Sequence, residues 1–310
     1  MKNSLKEKFL SPSKQTYQES FGKIISSFCI LIIIALVVSI LGFVTTKGID
    51  TFTQNKINVF DFLFGNVWSP SSTGANGKPE VGAAPMIVTS FTVTLISAAI
   101  ATPFAIACAI FMTFIANNRG SRLLRSTIEL LVGIPSVIYG YIGLTLVVPL
   151  VRSIYGGTGF GILAGAIVLF VMILPTVTSL TVDSIKSVPD YYIKASYGLG
   201  ATRWQTIYKV VLKISLPGIL TAVIFGMTRA FGEALAVQMV IGNSITMPTN
   251  LTTPASTLTS QLTTGIGNTI MGTLQNNALW SLALVLLFMS LFFNILIKII
   301  GKRGAAKYES

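Results

Sequence analysis

A series of long apolar runs with few or no charged residues is the feature that most constrains this chain. Residues 24–46 contain no charged side chain. At about 1.5 Å per helical residue, such a run is long enough to cross a hydrocarbon core of roughly 30 Å. Similar runs follow at 86–116, 127–151, 162–182, 217–242 and 280–300. The pattern predicts an all-α membrane protein with six transmembrane helices, because a lipid-exposed backbone must satisfy its own hydrogen bonds.

The composition supports a multi-pass protein of the cell (inner, cytoplasmic) membrane. The 310 residues are 52% hydrophobic and 10% charged, whereas about a quarter of the residues of a soluble protein are charged. The chain contains no histidine, and its two cysteines, Cys29 and Cys108, lie inside apolar runs. Neither a disulfide framework nor a metal site is therefore expected. The first run is too long for a signal-peptide core, so we expect an uncleaved first span.

The basic residues indicate which side of the membrane each loop faces. The net charge is +12, and in a bilayer protein Lys and Arg gather in cytoplasmic loops. Alternate loops hold 17 of the 22 basic residues, which places both termini in the cytoplasm and makes a nucleic-acid partner improbable. The predicted organisation is a cytoplasmic segment 1–23, a first helix 24–46, an extracytoplasmic loop 47–85, a core 86–300 and a cytoplasmic tail 301–310. Within the core, 183–217 forms a cytoplasmic insert; whether 243–279 dips into the membrane stays open.

The second half of this insert is predicted to be a short amphipathic helix. Thr202 and Gln205 have the spacing of a capping box. Apolar side chains follow at helical spacing: Trp204, Ile207, Tyr208 and Val211. A helix this short needs a surface to pack against, which could be its own spans, another protein or the lipid surface.

Charged and polar residues inside the spans are the candidates for a transport site. Arg229 and Glu233 lie in the fifth run, four residues apart, so one helix would present both on the same face. An arginine at a bilayer centre costs about 3 kcal/mol or more, which requires a protein interior or a watery path. The pair either neutralises itself or forms an anion site. Ser136 and Tyr139, beside Pro135, are weaker candidates that a kinked packing helix would equally explain.

Several enzyme motifs are missing. The chain has no GxxxxGK[ST] sequence, so it is not expected to bind ATP through that loop. It also lacks a Ser-His-Asp set and a cofactor motif. We therefore expect a protein that is not itself an enzyme and binds no cofactor.

The insert resembles the EAA loop of bacterial ABC importer permeases. Lys194, Ala195 and Ser196 stand at its first three positions, and Gly200 stands at its glycine. Lys194 departs from the family glutamate. The family's first proline position is occupied by Lys213, and a proline follows only at Pro217.

The wider sequence is similar to the PstC-type permeases of phosphate importers. The similarity covers roughly 86–300 and includes GIPSVIYGYIGLTLVVPLVR, ASYGLGATRWQTIYKVVL and TRAFGEALAVQMVIGN. In that family the Arg and Glu of the R-A-x-G-E segment are implicated in phosphate passage. Residue by residue, they match Arg229 and Glu233.

This resemblance implies a fold like that of type I ABC importer permeases and a set of partners. These are a PstA-like second permease, two copies of a PstB-like ATPase that hold ATP and Mg²⁺, and an extracytoplasmic protein that delivers inorganic phosphate. The residues implied in ATPase coupling are Lys194, Ala195, Ser196, Gly200, Trp204, Ile207, Tyr208 and Val211. Three alternatives remain open: a PstA-like sister subunit, a permease for sulfate or molybdate, and a self-sufficient channel or ion-coupled transporter.

Overall fold

The computed structural model describes residues 14–73 and 79–306. The predicted cytoplasmic segment 1–23 and the predicted cytoplasmic tail 301–310 are therefore covered only in part, since residues 1–13 and 307–310 lie outside the described ranges. The elements are α1 (Lys14–Thr53), α2 (Val59–Phe64), β1 (Trp68–Thr73), β2 (Pro79–Val81), α3 (Ala84–Ile110), α4 (Asn118–Gly133), α5 (Ser136–Ile142), α6 (Val148–Tyr155), α7 (Ile162–Lys186), α8 (Asp190–Gly198), α9 (Arg203–Thr206), α10 (Leu212–Phe231), α11 (Leu235–Ile241), α12 (Leu258–Ile266) and α13 (Leu274–Ala306).

Short π-helical turns extend or join some of these helices. They span Phe111–Ile115 after α3, Gly143–Val147 between α5 and α6, and Ile207–Val211 between α9 and α10. Within the described residues, six helical stretches are long and apolar enough to cross a membrane: Gln18–Thr53, Ala84–Ile115, Ser136–Tyr155, Ile162–Lys186, Arg203–Phe231 and Leu274–Ile300. The prediction of six transmembrane helices is confirmed.

The chain divides into two units, residues 1–47 and 48–310. In the first unit the described residues form one helix, and its apolar side chains, such as Phe28 and Leu31, are exposed. That exposure suits a helix surrounded by lipid tails.

The core of the second unit lies between α3, α7, α10 and α13. Small side chains let these helices approach closely, since Ala101, Ala105 and Ala109 of α3 are fully buried. In a membrane, where lipid tails are as apolar as leucine, such close packing is a main source of helix association.

The predicted loop 47–85 contains regular structure. Helix α1 continues to Thr53, and α2 is capped by Asn58, whose side chain accepts from the Phe60 N–H. Phe62 is fully buried and lies edge-on to Phe52, with ring centroids 5.4 Å apart. Phe62 belongs to the main buried cluster of the second unit, together with Val81 and Met86, so part of this loop packs onto the core.

The third span differs from its predicted bounds of 127–151. Residues 118–133 form the separate amphipathic helix α4, and the spanning helix begins only at Ser136. Proline disfavours helical backbone at the preceding residue, and Ile134 is extended next to Pro135. The exposed pair Arg125 and Glu129, 3.1 Å apart, adds charge that a lipid-facing helix would not carry.

The fifth span also differs from its prediction, at both ends. One continuous stretch runs from Arg203 to Phe231, so the second half of the insert is the first part of the spanning helix and Pro217 lies inside it. The helix then stops, and α11 resumes at Leu235.

The segment 243–279 packs into the core through α12. The backbone N–H of Leu258 donates to Ser90 Oγ at 3.0 Å, and the Leu258 side chain is fully buried. The sixth span starts at Leu274, six residues before its predicted beginning.

Gly140 is required where α5 crosses α11. A Cβ at this position would lie 2.9 Å from Ala236 Cα, which only a backbone shift could relieve. Overpacking of this kind costs about 1–3 kcal/mol. We expect Gly140→Ala to lower the thermal unfolding temperature of the purified protein by several degrees. Gly133→Ala is the matched control, because no atom lies within 4 Å of its Cβ position; equal stability of both variants would contradict the prediction.

Candidate functional site

Arg229 lies in the last turn of α10 and is half-buried. The carbonyl groups at a helix C-terminus carry partial negative charge and stabilise a nearby cation by roughly 0.3–1 kcal/mol. The helix end therefore offsets part of the cost of placing the guanidinium in the membrane.

The guanidinium reaches the middle of a neighbouring span. Its Nη1 donates to Oγ1 of Thr176 in α7. Along α7, Thr176 is roughly 21 Å from Ile162 and 15 Å from Lys186, at about 1.5 Å per residue. Helix α11 runs back towards the beginning of α7, because the Gly161 N–H donates to the Val240 carbonyl at 3.3 Å. The break between α10 and α11 thus lies deep within the membrane-spanning region.

Glu233 lies in this break. Its contacts are not with Arg229, as the sequence predicted, but with neighbouring backbone and hydroxyl groups. Its Oε1 accepts from the Ala236 N–H at 3.1 Å, and its carbonyl accepts from Thr259 Oγ1 at 2.8 Å. Within the described residues, no ion pair joins Glu233 to Arg229. The prediction of a shared helix face was wrong, because α10 ends at Phe231 and helical periodicity does not continue across the break.

Tyr139 and Ser136, the two weaker candidates for the site, differ in burial and contacts. Tyr139 is buried, and its hydroxyl donates to the Leu131 carbonyl at 2.8 Å, which ties α5 to α4 across the Pro135 break. Ser136 is half-buried at the beginning of α5. The arrangement favours a structural role for Tyr139.

The insert folds as two helices joined by a sharp turn. Helix α8 ends in a Schellman motif: the Ala201 N–H donates to the Ser196 carbonyl and the Gly200 N–H to the Tyr197 carbonyl. Gly200 has a φ of 82°, a conformation that glycine adopts without strain. The family glycine therefore has a definite conformational task in this chain.

Two sets of side-chain hydrogen bonds stabilise the second helix and its contact with the first. The predicted capping box is confirmed, with the Thr202 N–H donating to Gln205 Oε1 at 2.9 Å. Ser196 and Thr206 hydroxyls lie 2.9 Å apart and are buried. These hydrogen bonds stabilise the turn between the two helices of the insert.

The four apolar residues predicted to share one docking face are divided by the structure. Ile207 and Val211 are buried in a cluster with Ile110 of α3 and Ile185 of α7. They are not available to a partner in this conformation, because the helix continues into the span and needs these side chains for its own packing.

The remaining side chains of the insert form its accessible surface. Trp204 and Tyr208 are 62% and 64% exposed. Leu199, at the tip before Gly200, is 90% exposed and was not among the predicted residues; an apolar residue next to a turn glycine was the available signal. Lys194 and Ala195 are also exposed.

Within the described ranges, no group of His, Cys, Asp and Glu side chains comes together that could hold a metal ion. The polar groups placed near the break are the Arg229 guanidinium, the Glu233 carboxylate, the Thr176 and Thr259 hydroxyls and backbone groups.

Comparison with known sequences assigns the family. Residues 101–304 match the model of the binding-protein-dependent transport system inner membrane component. The chain is 48% identical over 303 residues to the probable ABC transporter permease protein YqgH of Bacillus subtilis, covering 97% of this chain and 96% of that protein. It is 32% identical over 271 residues to the phosphate transport system permease protein PstC of Mesorhizobium japonicum, covering 79% of this chain and 81% of that protein.

Chains of solved ABC transporters have the same fold as this protein. A chain of the MetNI methionine ABC transporter, in an inward-facing conformation, superposes with a TM-score of 0.52 at 20% identity and covers 69% of this chain and 93% of its own length. A chain of a bacterial alginate ABC transporter superposes with a TM-score of 0.57 at 16% identity and covers 93% and 99%. The protein is a multi-pass inner-membrane permease subunit of the PstC type, and it belongs to the family of binding-protein-dependent transport system inner membrane components.

Proposed function

We propose that this subunit forms half of the translocation pathway of an ATP-driven importer of inorganic phosphate. The observation that carries the proposal is Arg229, a guanidinium deep in the membrane-spanning region that donates to a hydroxyl. The hydroxyl adds no negative charge beside the guanidinium. A planar fork of donors suits the oxygen atoms of phosphate.

The break between α10 and α11 supports a pathway at this depth. Discontinuous helices in transporters place backbone and side-chain polar groups where the substrate crosses the membrane. Irregular backbone is tolerated there only if it is buried in protein or lines a watery cavity. Glu233 caps the outer half of the broken helix, and its negative charge limits how strongly an anion is retained nearby.

The relatives support phosphate as the substrate. Several relatives at about 30% identity are named as phosphate transport system permease proteins, including those of Mesorhizobium japonicum and Pasteurella multocida. YqgH, at 48% identity, carries a name without a substrate. The oxyanion is therefore the part of the proposal that needs a direct measurement.

The partners in this proposal are those that the family resemblance implies. A PstA-like permease completes the pathway, a phosphate-binding protein delivers the anion, and two PstB-like ATPases bind ATP and Mg²⁺. Closure of the ATPases would move the spans between two states, each of which exposes the site to one side.

The accessible surface of the insert is the proposed ATPase contact. It consists of exposed polar and apolar side chains: Lys194, Ala195, Leu199, Trp204 and Tyr208. Its buried base, Ile207 and Val211, connects this contact directly to α10. Movement of the insert would thus be transmitted to the helix that carries Arg229.

The substrate is tested by uptake in cells that lack other phosphate importers and express the complete set of subunits. We expect ATP-dependent accumulation of labelled phosphate that excess sulfate or molybdate does not suppress. Accumulation of labelled sulfate or molybdate instead would assign a different oxyanion. Undiminished uptake without the ATPase subunit would support a channel or an ion-coupled transporter.

A further inference from the structure

Thr176 is the hydrogen-bond acceptor of Arg229 and lies on a different helix. The two residues are 53 positions apart in the sequence, and both are half-buried. This contact joins α7 to the end of α10 at the depth of the break.

The hydroxyl of Thr176 differs from its neighbours in how its hydrogen is used. Thr178 Oγ1 donates to the Leu174 carbonyl at 2.7 Å, and Ser184 Oγ donates to the Leu180 carbonyl at 2.9 Å. No such bond to the preceding turn is present for Thr176 among the described residues. A hydroxyl can accept from one group and donate to another, so Thr176 retains a donor while it holds Arg229.

Pro175 lies directly before Thr176 inside α7, which continues as an α-helix through this position. It is buried inside the helix and has no N–H, so α7 lacks one backbone hydrogen bond directly before Thr176. The missing hydrogen bond is thus one residue away from the side chain that contacts Arg229.

A neutral acceptor has a specific consequence for an anion site. A carboxylate in this place would cancel the charge of the guanidinium, whereas a hydroxyl fixes its position and leaves its charge. The other N–H groups of the fork then remain for a ligand.

We propose that Thr176 is a positioning and specificity residue of the anion site, which orients the Arg229 guanidinium and donates its own hydroxyl hydrogen to a phosphate oxygen. This inference rests on the proposed function and adds the second side chain of the site. Thr176 takes the place of Tyr139 as a candidate for the site, because the Tyr139 hydroxyl donates to the Leu131 carbonyl.

The test uses the complete complex in proteoliposomes with saturating loaded binding protein. Phosphate transport and ATP hydrolysis are measured separately. Thr176→Val keeps the shape and removes the hydroxyl, and we expect phosphate transported per ATP to fall roughly tenfold, as the loss of one charge-assisted hydrogen bond implies. Thr176→Ser should restore the ratio. Thr178→Val is the matched control on the same helix, and it should leave the ratio unchanged.

A double-mutant cycle with Arg229→Ala tests whether Thr176 acts through the arginine. Residues that act together are non-additive, so the double variant should transport no less than Arg229→Ala alone. Additive losses, or a normal ratio in Thr176→Val, would overturn this inference while leaving the proposed function standing. Normal transport by Arg229→Ala would instead reject the anion site at Arg229, and the absence of phosphate transport by the unaltered complex would reject the proposed function itself.

Thr176→Asp tests the importance of a neutral acceptor. The added carboxylate would form an ion pair with Arg229 and neutralise the site, so transport should fall below that of Thr176→Val. Transport equal to or above the valine variant would contradict the argument that the site needs an uncancelled charge.

Discussion

Replacing Arg229 with alanine is expected to lower phosphate uptake by roughly 100-fold or more. A desolvated phosphate that loses its cationic partner is destabilised by about 3–5 kcal/mol, and each 1.4 kcal/mol is a factor of ten. The measurement is the initial rate of labelled phosphate uptake in cells with all partners. Membrane content of the variant and its co-purification with the other subunits should stay unchanged, because the guanidinium bonds to one exchangeable hydroxyl and is only half-buried.

Two further variants separate an anion site from mutual neutralisation of Arg229 and Glu233. If the arginine served only to balance the glutamate, Arg229→Ala with Glu233→Gln would remove both charges and restore uptake. The anion-site proposal requires the double variant to stay inactive. Glutamine keeps an oxygen that can accept from the Ala236 N–H, so the cap of α11 survives the change. Arg152→Ala, which removes an exposed arginine outside this site, should transport normally.

The number of spans could be predicted from the sequence because it depends on a property that is local to each run. About twenty apolar residues in a row must be helical in a bilayer, whatever surrounds them. The capping box at Thr202 was predictable for the same reason, since both partners lie within one turn. Both features thus depend on residues that are close together in the sequence.

The errors arose where a helix ends inside an apolar stretch. Residues 217–242 have no strong stop signal at Gly232, so the sequence favours one helix and a shared face for Arg229 and Glu233. The break depends on distant partners, such as Thr259, whose hydroxyl donates to the Glu233 carbonyl. At Pro135 the sequence does contain a helix breaker, and the structure divides there what was predicted as one span.

Thr176 could not be found from the sequence because its significance lies in a contact across 53 residues. Threonine is common in membrane helices, and most of its hydroxyls donate within their own helix. Only the position of Arg229 on a second helix distinguishes it. The same holds for Ile207 and Val211, whose spacing was read correctly but whose burial partners lie on α3 and α7.

Substituting Gly200 is expected to release the ATPase from the membrane and to lower phosphate uptake. A non-glycine residue in the left-handed region costs about 1–2 kcal/mol, and a β-branched residue fits it worst. Gly200→Val should therefore lower the fraction of correctly formed turn by roughly 5- to 30-fold. We expect a comparable loss of ATPase retained on membranes and of phosphate uptake, measured in the same preparation.

The chain offers close controls for this change. Gly200→Asn should be tolerated far better, since asparagine is the next most common residue at this position of the Schellman motif. Gly198, two residues earlier, belongs to α8 and has a negative φ, and no atom lies within 4 Å of its Cβ position. Gly198→Ala should thus retain both ATPase and uptake. Space is equally open at Gly200, so a loss confined to Gly200→Val would be due to backbone conformation. If Gly200→Val kept the ATPase bound and transport normal, the turn would not be part of the coupling contact.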